Sequence, residues 1–192
     1  MIVLSVNVKF GGRKVAERAA TIVAELRSVA SFGSALLFVQ ECSPASMRAI
    51  SELLRETHVG FARPGHESVV GIFVATFVPR GLRVHVTAAA TPFTRMGRDY
   101  HAVRMRDGDL YTVHLDSCSD SAATRVRQLA AIAAGSAGPF AILGDLNGHE
   151  KYATRGIDVA VRPIQMPKLT DHSARVYSLR LSQKKRPRLT KR

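Results

Sequence analysis

The run Phe140-Ala141-Ile142-Leu143-Gly144-Asp145-Leu146-Asn147-Gly148 constrains this chain more than any other stretch. Its apolar half, Phe140 to Leu143, reads as a buried strand, and Gly144 ends it where the backbone must turn sharply. Asp145 and Asn147 then sit at the strand's carboxyl end, with Leu146 between them. If the backbone stays extended there, the two polar side chains share a face and Leu146 points back into the core. A carboxylate that only accepts, beside an amide that donates and accepts, can hold a water against a phosphate. The plainer reading is a strand running into an Asx turn, because Asp and Asn are common turn formers. What favours chemistry is that other strands of the chain end in the same way.

Ile2 to Val6 is a β-branched apolar run ending at Asn7, and Ala35 to Val39 is another ending at Gln40-Glu41. Arg13 to Ala30 carries Val15, Ala19, Ile22, Val23 and Leu26 at helical spacing. Ser43-Pro44 is a helix start, followed by the stripe Met47, Ile50, Leu53 and Leu54. Val69 to Val78, Leu82 to Ala89, Ala102 to Arg106 and Leu110 to His114 read as strands, with Asp107-Gly108 as a hairpin turn. Ser121 to Ala134 is a helix; Ile157 to Val161 and Arg175 to Leu181 are the last strands. Strands in this mixture, flanked by three helices, predict an α/β chain with two sheets face to face and helices outside.

At 192 residues the chain is expected to form one domain, residues 1–181, followed by a polar tail from Ser182 to Arg192. The formal charge is +13, and the six basic residues of the tail include Lys184, Lys185, Arg186 and Arg188. Without the tail, 22 basic residues still face 15 acidic ones, so the folded part is itself basic and suits a polyanion. Cys42 and Cys118 lack both disulfide-framework and metal-ligand spacing, which predicts reduced thiols in an intracellular protein. No apolar run is long enough to span a bilayer, so a membrane is not expected as partner.

Asn7, Gln40-Glu41, His114-Leu115-Asp116-Ser117, Asp145-Leu146-Asn147 and Asp171-His172 lie at strand ends, and Asp158 lies in Gly156-Ile157-Asp158-Val159. Acids and amides gathered at strand ends are the chemistry of a hard, oxygen-liganded cation such as Mg²⁺, and histidines added to them point to phosphoryl transfer. Singly, each has an ordinary explanation: Asn7 a turn, Glu41 a helix-start charge, His114 a satisfied polar group. The ordered set carries the argument. No Gly-rich phosphate cradle is present.

In this order the set resembles the endonuclease/exonuclease/phosphatase superfamily, over Ser5 to Val176. Within it the chain is most similar to the 5′-tyrosyl-DNA phosphodiesterase (type 2) group, through Gln40-Glu41, Gly65-His66-Glu67, Pro92-Phe93-Thr94-Arg95-Met96-Gly97-Arg98, His114-Leu115-Asp116-Ser117 and Arg127-Gln128-Leu129. The resemblance implies a four-layer α/β/β/α sandwich with its site at one edge of the paired sheets. It implies Glu41 as the main Mg²⁺ ligand (Mn²⁺ an alternative), with Asp171 supporting the metal side. Asn7 and Asp145 would hold the metal and its water, and Asp145 with Asn147 would orient the nucleophile. His114 and His172 would contact the phosphoryl group, with Asp158 steadying the His172 ring. Arg95 and Arg98 join the tail cations as expected nucleic-acid contacts.

The reaction implied is hydrolysis of DNA phosphodiesters, specifically release of tyrosine from 5′-phosphotyrosyl ends, a DNA-repair activity of a monomer, nuclear if the host is eukaryotic. Three other readings use the same residues: an apurinic-site or DNase-like endonuclease, a lipid or nucleotide phosphodiesterase, and a nucleic-acid-binding protein without turnover. Only residues 148–157 separate the Asp145 turn from Asp158, where relatives carry a longer insertion, so this is a pared-down version. Deleting Ser182 to Arg192 should weaken DNA binding regardless of sequence and flatten its salt dependence by up to about six phosphate contacts. Turnover of a small tyrosyl diester should barely change; equal losses on both substrates would place the tail inside the folded site.

Overall fold

Alternation along the central strands divides the chain between three interiors. In β1 (Ile2–Asn7), Leu4 and Val6 face a helix-lined core, whereas Val3 joins a core between two sheets. In β2 (Leu36–Cys42), Leu37 and Val39 take the helix side and Leu36 and Phe38 the inter-sheet side. Strands buried on both faces read as continuous apolar runs, which is why they were visible in the sequence. The computed structural model describes residues 1–8, 14–29, 31–63, 71–117, 121–148, 153–164 and 174–182.

The remaining strands are β3 (His58–Ala62), β4 (Phe73–Pro79), β5 (His85–Ala90), β6 (Asp99–Met105), β7 (Gly108–His114), β8 (Phe140–Asp145), β9 (Thr154–Arg155), β10 (Ile157–Ile164) and β11 (Ala174–Leu181). One sheet has six strands in the order β10-β11-β1-β2-β4-β3, and the other five in the order β5-β6-β7-β8-β9. α1 (Val15–Arg27) and α2 (Pro44–Leu54) cover the first sheet through Ile22, Val23, Leu26, Ile50 and Leu54. α3 (Ala122–Ala134) covers the second through Leu129 and Ile132, packed with Tyr111, Val113 and Ile142. The result is the expected α/β/β/α sandwich. Ser43 Oγ accepts from Ser46 N at 3.2 Å and Pro44 occupies the first turn, so α2 starts where its cap was read. No helix among the described residues is long and apolar enough to cross a membrane.

Two parallel pairs position the site. β1 pairs with β2, and β7 with β8, each parallel and each joined by a helical crossover. Parallel pairing brings carboxyl ends together, placing Asn7 beside Gln40 and His114 beside Asp145 in register. Gln40 ties the sheets: Ser5 Oγ donates to its Oε1 at 3.2 Å, and its Nε2 donates to Thr112 Oγ1 at 3.1 Å.

Three elements differ from the sequence reading: β3, the two-residue β9 and the β6–β7 turn. β3 was not foreseen, because exposed Val59 and Phe61 alternate with buried His58 and Gly60 interrupts the pattern. The β6–β7 turn is Arg106-Asp107 rather than Asp107-Gly108; Gly108 opens β7 against Pro139, whose carbonyl oxygen would lie 2.8 Å from an added Cβ. Cys42 is a free, fully buried thiol whose burial pushes its pKa upward, as an inert core sulfur should be; Cys118 lies outside the described residues.

Among the described glycines Gly144 is the most closely surrounded: at φ +116° a Cβ would collide with Val113 O and lie 3.2 Å from Gln40 Nε2. Gly144→Ala should therefore cost about 3 kcal/mol or more, from overpacking and an unfavourable φ together. A thermal melt should show a Tm lower by on the order of 10 °C.

Candidate active site

The site is built around the Asn7 side chain, buried at the end of β1. Its Nδ2 donates to Glu41 Oε1 at 3.1 Å and to Asp145 Oδ2 at 2.8 Å, joining the two sheets at their common edge. Strict alternation would have sent Glu41 to the helix side with Leu37 and Val39. A register shift in the β2–β4 pairing between Val39 and Cys42, with Glu41 at φ 53°, turns it instead toward Asn7. Cys42 then fills the place in the helix-side core. A bulge that re-aims one side chain, held in a sparsely populated conformation, is characteristic of functional positions.

Asp145 follows β8 into the turn. Its Oδ1 accepts from Asn147 N at 3.0 Å, Asn147 sits at φ 48°, and Asn147 Nδ2 donates to Leu115 O. The backbone is thus an Asx turn rather than extended, with Leu146 buried in the α3-side core as expected. Asn147 braces the end of β7 as well as orienting Asp145.

His114 Nε2 lies 3.8 Å from both Glu41 Oε1 and Asp145 Oδ2. Its Nδ1 is 3.0 Å from Arg98 Nη1. A guanidinium only donates, so Nδ1 is the acceptor and the proton of the neutral ring sits on Nε2, facing the site. Arg98 is buried, which corrects its expected role: it orients the imidazole from beneath and does not form a surface contact to nucleic acid. Burial pulls its pKa below the ordinary value, and the carboxylates of Glu41, Asp116, Asp145 and Asp99 pull in the opposite direction.

Asp116 was not among the expected site residues. Fully buried after β7, it accepts from Thr94 Oγ1 at 2.7 Å and Arg95 N at 2.9 Å, and its own N–H donates to Gln128 Oε1 at 3.4 Å. Thr94 Oγ1 in turn accepts from Met96 N and Arg98 N. The segment from Thr91 to Arg98 is therefore fastened to the strand end that carries His114. A short polar string after an apolar strand was the only sequence signal for this.

Asp158 does not join the site. Antiparallel pairing sets Ser5 opposite Arg175 but Asp158 opposite Arg180, near the far end of the same sheet. That is on the order of 20 Å along the strands from Asn7. Asp158 is exposed there and accepts from Ser182 Oγ at 2.6 Å, so it does not steady a site imidazole. Arg95 is exposed beside Asp116, as a nucleic-acid contact requires. Asp171, His172, Lys184, Lys185, Arg186, Arg188 and the Gly65-His66-Glu67 segment lie outside the described residues.

Among the described residues no three His, Cys, Asp or Glu groups cluster as a ligand shell. The donor chemistry nevertheless fits Mg²⁺, which keeps several waters and binds through one or two carboxylates. Glu41 and Asp145 supply two such groups, both largely buried and both within 3.1 Å of one amide nitrogen. Two acids held that close favour a cation beside them.

Two sheets between helices, with strand ends meeting at one edge, are the fold of the endonuclease/exonuclease/phosphatase proteins. One such family protein from Bacteroides thetaiotaomicron is similar at TM-score 0.62 and 11% identity, over 93% of this chain and 97% of that one. TDP2 has the same fold. A humanized D. rerio TDP2 bearing 14 mutations gives TM-score 0.72 and 18% identity over 94% of this chain and 98% of that one. D. rerio TDP2 complexed with a single-strand DNA product gives TM-score 0.65 and 18% identity over 97% and 86%. No protein-family model matches the sequence, and no curated protein does.

Glu41→Gln keeps the volume and the hydrogen bond from Asn7 but removes the anionic oxygen a hard cation needs. The variant should melt near the parent temperature and lose metal-dependent hydrolysis by at least about 10²-fold. Turnover at the parent rate would reduce Glu41 to a bulge residue.

Proposed function

We propose that this protein is a Mg²⁺-dependent phosphodiesterase acting on DNA, and that its reaction is release of tyrosine from 5′-phosphotyrosyl ends. One observation carries the reading: a single amide, Asn7, grips carboxylates from both sheets while the Nε2–H of His114 faces the same two groups. The fold shared with TDP2 supports it, as does a similar TDP2 holding a single-strand DNA product. So does the basic charge of the chain outside its tail.

Glu41, with Asp145 alongside, would hold the metal, whose chemistry there would be Lewis-acid polarisation of the phosphoryl oxygen. Asp145, fixed through both oxygens by Asn7 and Asn147, orients the attacking water and takes its proton. His114 donates from Nε2 to the phosphoryl oxygen as charge develops there, with Arg98 holding the tautomer. His172 is the second phosphoryl contact in this proposal, with Asp171 beside it. A tyrosyl leaving group has a pKa of about 10, well below a sugar alkoxide, so it departs with little protonation and needs no dedicated acid.

The same residues could serve internal or apurinic-site cleavage, and leaving-group chemistry separates the two. On 5′-tyrosyl, abasic and plain duplex oligonucleotides with Mg²⁺, the parent should act fastest on the tyrosyl end. His172→Ala should slow every substrate by roughly 10²-fold or more, and His114→Ala should slow the internal diester more than the tyrosyl bond. Internal or abasic cleavage matching tyrosine release would overturn the tyrosyl assignment and leave the phosphodiesterase standing.

A further inference from the structure

The turn Thr91-Pro92-Phe93-Thr94 is closed by Thr94 N donating to Thr91 O at 3.3 Å, with Pro92 second and Phe93 third at φ 58°. Glycine or asparagine is the unstrained choice at a positive-φ third position, and a bulky ring there is strained. The strain obtains no burial in return: Phe93 is 54% exposed, the most exposed large apolar residue of those described. Its ring lies against the guanidinium of Arg127 on α3, with Cζ 4.3 Å from the ring centroid. Arg95 is exposed two residues on, and Val126 next to Arg127 is also exposed.

This surface is tied rigidly to the site. Thr94 Oγ1 and Arg95 N both bond Asp116, Arg125 Nη1 donates to Asp116 O at 3.0 Å, and Arg98 from the same segment reaches His114. Two residues on either side of the Arg95–Asp116 bond bring Phe93 within on the order of 20 Å of His114.

We infer that Phe93 and Arg127 form a stacking shelf for an unpaired base of the DNA strand that enters the site, with Arg95 against its backbone. This rests on the phosphodiesterase reading above. Aromatic and guanidinium planes accept any base, so the shelf selects single-stranded over fully paired ends rather than a sequence. A strained, exposed aromatic paired with a cation suits a flat, anionic-backboned partner better than it suits the fold.

The chain contains no tryptophan, so Phe93→Trp introduces a lone reporter at the shelf. In the non-cleaving Glu41→Gln background, its emission should be quenched on adding a 5′-phosphorylated single-stranded oligonucleotide, and far less by the blunt duplex of the same sequence. Phe93→Gly should raise Tm by a few degrees through relief of the turn. It should also lower kcat/KM for single-stranded DNA at least about fivefold more than for a small p-nitrophenyl phosphodiester. Unchanged emission at saturating oligonucleotide, equal quenching by duplex, or equal losses on DNA and small diester would each overturn the shelf. Loss of all phosphodiester hydrolysis in the parent protein would instead overturn the enzymatic reading, and the emission of the tryptophan variant would still judge the shelf.

Discussion

The structure depends on one small interaction, the Asn7 amide held between Glu41 and Asp145. Two carboxylates from different sheets repel each other, and partial burial strengthens that repulsion. A neutral side chain with two amide hydrogens offsets it without neutralising either acid. The sheets must hold their separation for this to work. Gln40 fixes it from beneath, with one end of its amide on Ser5 and the other on Thr112. Gly144 lets the strands approach closely enough for both contacts, since any side chain there would collide with Val113.

A second layer of buried polar groups supports the first. Arg98 holds the His114 tautomer, and Asp116 fastens the segment containing Arg98 to the end of β7. Around them, burial pushes the Asp99 carboxyl up to about 6 and the His101 imidazole down to about 4, so the imidazole stays neutral inside the inter-sheet layer. Asp99 still does structural service, accepting from Val74 N at 2.9 Å where β4 begins. Polar groups this deep are costly unless bonded, so their concentration below one sheet edge marks where the fold was shaped by chemistry rather than by core packing.

Much of the fold was legible because its central strands are buried on both faces. Ile2 to Val6, Leu36 to Val39 and Phe140 to Leu143 could hardly be anything but inner strands, and the Ser43-Pro44 cap announces α2 directly. The edges were less legible. β3 alternates in burial, but its exposed positions are the apolar Val59 and Phe61 and its buried first residue is His58, so the hydrophobic pattern does not announce it. Of the site, Asn7, Glu41, His114 and Asp145 could be picked out because each is polar at the end of an apolar run.

The sequence by itself determined which residues end the strands, and therefore which functional groups were available at a sheet edge. Which edge they reached was decided only by tertiary pairing. Asp158 ends in the wrong place because it opens β10, which pairs antiparallel to β11 and therefore runs parallel to β1, so its start lies at the end of the sheet away from Asn7, a fact of strand direction that local pattern does not encode. Arg98 resembled a surface cation and is a buried support: it reaches His114, and the carboxylates of Glu41, Asp116, Asp145 and Asp99 offset part of the cost of taking its charge out of water. Glu41 reaches Asn7 only through a bulge that breaks the two-residue period from which sequence reasoning starts.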